Sequence, residues 1–151
     1  MADDAGLTTG SAGGGEMIQA LGKTWTLAPV TFAIQAKFER WCRLRARQAL
    51  VEDKDGLPAD AYQENLSSLN REIAAGRYSW GVSMGEVIRD SLNDLPGLLH
   101  LLGLLLQVNH DSITQDDVRA IFEGNPEGVG LALKATLGNR RTPAMKPGTE
   151  R

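Results

Sequence analysis

The chain has 151 residues, 42% of them hydrophobic and 23% charged, ordinary proportions for a globular domain and enough length for one continuous core. Those values exclude a wholly disordered chain, a membrane-spanning bundle and a disulfide scaffold. The net charge of −3 supplies no global electropositive field, which argues against nonspecific nucleic-acid binding as the main activity.

Residues 1–15 (MADDAGLTTGSAGGG) carry five glycines and almost nothing bulky, so a flexible leader is expected, with neither the basic start nor the apolar centre of a secretory signal. Met17–Leu21 and Thr24–Leu27 flank Gly22-Lys23, which suits a two-residue type II′ hairpin loop. That register sets Ala20 opposite Trp25 and Ile18 opposite Leu27 on one apolar face, leaving Gln19 and Thr26 on the other.

Phe32 to Val51 reads as a helix with Ile34, Phe38, Trp41, Cys42 and Ala49 on the buried face and Arg40, Arg43 and Arg47 opposite. Arg45 projects into the apolar stripe, where it must snorkel, find a carboxylate or face a partner. Pro58 opens a second helix through Tyr62, Leu66, Leu69 and Ile73, which Gly76 ends. Tyr78 and Trp80 are expected to plug the core, and Ser83-Met84-Gly85-Glu86 has the capping-box pattern of a helix starting at Ser83.

Leu95 to Val108 is apolar around nearly its whole circumference, with Pro96, His100, Gly103 and Gln107 on one narrow stripe. Its fourteen residues fall short of the roughly 20 needed to span a bilayer, so it reads as a central buried helix. Thr114 with Asp116 and Asp117 starts a short helix that closes at Gly124, and a last helix from Pro126 carries Val129, Leu131, Leu133 and Leu137. The expected architecture is mainly α, a small domain of about five to six helices with an N-terminal β-hairpin over residues 16–138, followed by a mobile basic tail over 139–151.

Chemistry-bearing groups are sparse. Cys42 is the single cysteine; it cannot form an internal disulfide, fits a reducing compartment, and sits most simply as a small core residue. Neither it nor any serine stands in a nucleophile signature with His100 or His110, and no His or Cys spacing suits a metal. Gly13-Gly14-Gly15 lacks the strand and Lys-Ser/Thr of a phosphate loop. No enzyme, cofactor or metal is expected. Lys37 to Arg47 holds five basic residues against one acid, a solvated helix face or a binding surface, and partner binding is the best physical use of such a segregated helical domain.

The order of parts also carries a resemblance. A strand Gly22-Lys23-Thr24-Trp25-Thr26-Leu27-Ala28-Pro29-Val30-Thr31 leads into a helix containing Phe38-Glu39-Arg40-Trp41. Later, the leucine-rich Leu98–Leu106 ends in Asn109-His110-Asp111-Ser112-Ile113-Thr114, with Asp116-Asp117-Val118 behind it. Over roughly residues 17–137 this resembles the small tail assembly chaperones of long-tailed bacteriophages. The resemblance implies a protein of the host cell cytoplasm that binds the helical tape measure protein, keeps its apolar segments soluble, helps recruit tail tube subunits and leaves before the virion is complete. It implies no membrane or nucleic-acid partner and leaves self-association possible. It also implies a programmed ribosomal frameshift near the end of the short product, with which Leu137-Gly138-Asn139 is compatible. The expected client surface is a groove at the leucine-rich helix, with His100, Gly103 and Gln107 on its polar stripe, and Arg40, Arg43 and Arg47 engaging acidic segments. Two other readings stay open: a permanent virion component such as a head–tail connector or minor tail protein, and a small regulator laying its basic helix face on nucleic acid.

Overall fold

A computed structural model describes residues 15–81 and 83–149, with side chains placed through Gly138. The expected leader at residues 1–14 lies outside the described residues, as do Val82 and the last two positions. The described residues form strands β1 (Met17–Ala20) and β2 (Lys23–Thr26) and helices α1 (Phe32–Glu52), α2 (Ala59–Ala74), α3 (Glu86–Leu92), α4 (Leu95–Gln107), α5 (Gln115–Gly124) and α6 (Pro126–Thr149), with a 3₁₀ turn at Lys54–Gly56. The fold is therefore mainly helical, with an N-terminal two-stranded antiparallel hairpin. No helix among the described residues is long and apolar enough to cross a membrane.

The hairpin keeps its expected faces but not its expected register. Ile18 pairs with Trp25, Gln19 with Thr24 and Ala20 with Lys23, so the turn is Leu21-Gly22 rather than Gly22-Lys23. Both turn residues have positive φ, 56° and 74°, the type I′ geometry whose twist matches that of the flanking strands. The left-handed Leu21 costs about 1–2 kcal/mol, which the paired strands on either side of the turn must offset. The Thr24 hydroxyl donates to Gln19 Oε1 at 3.0 Å across the exposed face, and the Trp25 indole N–H donates to the Ala20 carbonyl at 3.0 Å. Because both strands shift by one residue about the turn, Ile18, Ala20, Trp25 and Leu27 all remain buried.

The chain divides into two compact units, one spanning residues 32–98 and the other joining the N-terminal segment through Thr31 to everything from Leu99 onward. In the first, α1 buries Ile34, Phe38 and Cys42, while Trp41 is half-buried and Ala49, expected on that face, is exposed. The Trp80 ring meets Phe38 edge-on with centroids 5.6 Å apart, so Tyr78 and Trp80 do close this core, at 7% and 3% exposure. Arg45 resolves toward a carboxylate: Nη1 lies 3.6 Å from Asp94 Oδ2, and the guanidinium sits 4.9 Å from the Trp41 ring centre. As an exposed pair it contributes little stability.

Glycines fix the turns of this unit. Gly76, at φ +88°, ends α2 in a Schellman arrangement, its N–H bonding Ile73 O while the Arg77 N–H bonds Glu72 O. The box expected at Ser83 is absent. Gly85 is the N-cap of α3 and Glu86 binds Arg77 instead of reaching back. A Cβ on Gly85 would come within 2.4 Å of the Gly76 and Arg77 carbonyl oxygens, so close backbone approach sets the helix start. Asp94 caps α4 by accepting from the Gly97 N–H at 2.7 Å.

In the second unit, Leu101, Leu102, Leu105 and Leu106 are each 0% exposed, and every such burial is worth about 1.5–3 kcal/mol. The Ala28 N–H donates to the Leu105 carbonyl at 3.0 Å, tying the segment after β2 to α4. The expected cap at Thr114 is present as a full capping box: its hydroxyl accepts from the Asp117 N–H at 3.1 Å and its own N–H donates to Asp117 Oδ2 at 2.9 Å. Asn125 joins α5 to the hairpin, donating to Gln19 O at 2.8 Å while its Oδ1 accepts from Gly128 N–H. The backbone of α6 stays helical to Thr149, although apolar periodicity lapses after Gly138 and predicts a tail there. A nucleated helix extends residue by residue without needing a buried face.

Two glycine substitutions separate space from propensity. A Cβ on Gly97 would fall 1.8 Å from the Ser91 carbonyl oxygen, whereas Gly130 has nothing within 4 Å. Gly97→Ala should lower the unfolding free energy by at least about 2 kcal/mol in chemical denaturation, and Gly130→Ala should raise it by roughly 0.5–1 kcal/mol. Equal effects would contradict the packing described at Gly97.

Candidate functional site: the groove between α4 and α5

The narrow polar stripe of α4 faces a groove. His100, Gly103, Leu104 and Gln107 form one wall; Ile113, Thr114, Gln115 and Val118, from the start of α5 and the turn before it, form the other. The space is about 110 Å³, enough for one long side chain and far too small for a nucleotide. Gly103 keeps it open: a Cβ there would stand 3.4 Å from Gln115 Nε2 and 3.5 Å from Val118 Cγ2. His100 is half-buried, and its desolvation pushes the imidazole pKa below the ordinary value, favouring the neutral ring. The three stripe residues expected to share a surface are thus brought together.

The wall contributed by α5 has no local signature: Thr114 reads from the sequence as a cap, and with Gln115 and Val118 it also lines the groove. The signal that places them there is a contact between helices, which no local pattern carries.

Just beyond the groove, the turn after α4 grips the hairpin. His110 Nε2 accepts from the Thr26 N–H at 3.1 Å, Asn109 Nδ2 donates to the Thr26 carbonyl at 3.3 Å, and the His110 and Trp25 ring centres lie 5.1 Å apart. Thr26 lies at the end of β2, where the paired strand leaves its peptide without a ladder partner, and two side chains from 83 and 84 residues away satisfy it. Read as a loop residue from the sequence, His110 is therefore a lock between segments.

Arg40, Arg43 and Arg47 belong to α1 and hence to the other compact unit. Arg40 and Arg47 are exposed and Arg43 is half-exposed. The ion pairs among the described residues are Arg45 with Asp94 and Arg77 with Glu72 and Glu86, so none engages these three. Cys42 is buried, its Sγ 3.5 Å from Ser91 Oγ, and burial raises its thiol pKa, which describes an unreactive core thiol. Among the described residues no three His, Cys, Asp or Glu side chains gather as a metal site.

No family model matches the sequence, and neither the curated proteins nor the solved structures yield a match. The geometry itself offers a small mixed groove and, on the other unit, an exposed basic helix face.

The state of His100 gives a pH test. The folded chain holds this imidazole at a lower pKa than the unfolded chain, so between the two values the unfolded state carries more protons and stability rises with pH. His100 therefore contributes its full stability above the unfolded value of 6.5 and loses it as the pH falls below that value. Thermal melts between about pH 7.5 and pH 5.5 should show a steeper loss for the wild type than for His100→Gln. Parallel pH profiles would contradict the burial described here.

Proposed function

We propose that the chain is a tail assembly chaperone of a long-tailed bacteriophage: it binds the tape measure protein in the host cytoplasm, keeps that client soluble, and helps recruit tail tube subunits around it. The observation that carries the reading is the grip on Thr26. The two segments that bear the resemblance, the Gly22–Thr31 strand and the Asn109–Thr114 turn, meet through the Asn109 and His110 contacts with the Thr26 peptide. They support the reading as parts of one arrangement rather than as scattered similarities.

The physical demands of the role point the same way. A holdase needs reversible contact with apolar helical segments, which a shallow groove supplies without enclosing them, and it needs charge to steer the client and keep the complex soluble. The groove at His100, Gly103 and Gln107 offers the first. Arg40, Arg43 and Arg47 offer the second.

Co-expression with the long helical product of the neighbouring tape measure gene tests the role. The chain should raise the soluble fraction of that client, and reversing all three arginines (Arg40→Glu, Arg43→Glu, Arg47→Glu) should cut the gain about five-fold, equivalent to roughly 1 kcal/mol of lost association. A client that stays insoluble with the wild-type chain would overturn the reading. Unchanged recovery with the triple variant would remove the arginines from the mechanism.

A further inference from the structure

The outer face of α1 carries more than charge. Ala33, Lys37, Arg40, Leu44, Arg47 and Val51 follow one another at alternating steps of four and three, and all six are exposed. That spacing places them along a single seam on the helix surface, the arrangement by which one helix packs along another. Leu44 and Val51 are 51% and 57% exposed, aliphatic side chains left in water on an otherwise cationic face.

Glu39 accepts from the Trp80 N–H, and Asp94 pairs with Arg45, which lies off the seam. Among the described residues no carboxylate forms an ion pair with Lys37, Arg40 or Arg47. The seam therefore presents three cations and two aliphatic knobs along about 27 Å of helix, at 1.5 Å per residue.

We infer that this face of α1 is the docking seam for an amphipathic helix that sets acidic side chains against Lys37, Arg40 and Arg47 and aliphatic ones against Leu44 and Val51. Charge complementarity selects the partner, since three cations that pair with no carboxylate among the described residues reward Asp and Glu at the facing positions and penalise Lys and Arg. The long stems of Arg40 and Arg47 lie flat on the incoming helix while their guanidinium groups pair at the rim. A duplex nucleic acid would use the cations yet leave Leu44 and Val51 stranded, so a protein helix is the better fit. The inference deepens the chaperone reading and rests on it only for the identity of the client, an acidic and aliphatic stretch of the tape measure protein.

The test uses the full chain and a synthetic 21-residue helix, labelled for fluorescence anisotropy, with Glu and Leu at the positions facing the seam. Saturable binding is expected, weakened at least ten-fold by Arg40→Glu with Arg47→Glu and likewise by Leu44→Glu with Val51→Glu. A peptide with Lys in place of Glu should restore binding to the arginine-reversed chain and not to the wild type. Circular dichroism melts establish that the variants, all at exposed positions, remain folded. No saturable binding, equal binding by the variants, or tighter and steeply salt-dependent binding of duplex DNA through the same arginines would each overturn the seam. If the wild-type chain binds the acidic helix but leaves the tape measure protein insoluble, the seam stands and the chaperone reading falls. If the client is kept soluble equally by the wild type and by the Leu44→Glu, Val51→Glu chain, the seam falls and the chaperone reading stands.

Discussion

A helix that is apolar on every side survives in water only when other elements cover it, and the second half of α4 is such a helix. Leu101, Leu102, Leu105 and Leu106 are wholly removed from solvent. Within the same unit, covering them enlists segments from both ends of the chain. The residues after β2 bond to the Leu105 carbonyl through Ala28, the turn after α4 holds the end of β2 through Asn109 and His110, and Asn125 links the α5–α6 junction to β1. A two-stranded hairpin is marginal by itself; here it persists because its Ile18, Trp25 and Leu27 face is buried and its terminal peptide is held from outside. The one interruption in the apolar girdle, the stripe of His100, Gly103 and Gln107, is where the groove opens.

What the sequence makes legible follows from what is local. The spans of α1, α2, α4 and α5, the Thr114 cap, the Gly76 ending and the buried face of the hairpin depend on residues a few positions apart, and each is recovered, whereas α3 begins later than the Ser83 pattern and α6 runs on to Thr149. The hairpin register is not, because it turns on whether Leu21 will accept a left-handed conformation, which only the energetics of the paired strands decide. The Ser83 pattern misleads for a related reason: the backbone of Gly76 and Arg77 presses on Gly85, and that approach from another part of the chain fixes where α3 begins. Arg45 and His110 show the same limit. Each has its role set by a partner 49 or more residues away in sequence; the apolar stripe says that Arg45 must find a place without saying where, and no local pattern marks His110.

The candidate site divides along the same line. The polar stripe of α4 is visible as a break in an apolar pattern, and His100, Gly103 and Gln107 line one groove; the opposing residues Ile113, Thr114, Gln115 and Val118 become visible only when α5 is in place. The arginine face is visible as charge, while its aliphatic partners Leu44 and Val51 gain meaning only once their exposure is known. On the proposed reading these features are two kinds of contact, a small groove for a side chain and a basic seam for a helix. Neither encloses what it binds. Under the proposed chaperone role, in which the client is later surrendered to a growing assembly, such open contacts would serve release rather than permanent incorporation.

Release is the consequence of the proposed chaperone role that is read most directly, by quantitative mass spectrometry of gradient fractions from cells assembling the particle. The account predicts that the chain travels with the tape measure protein in the light fractions and is missing from finished virions. A fixed copy number of the chain in purified virions would contradict it and identify a structural component of the tail or its connector.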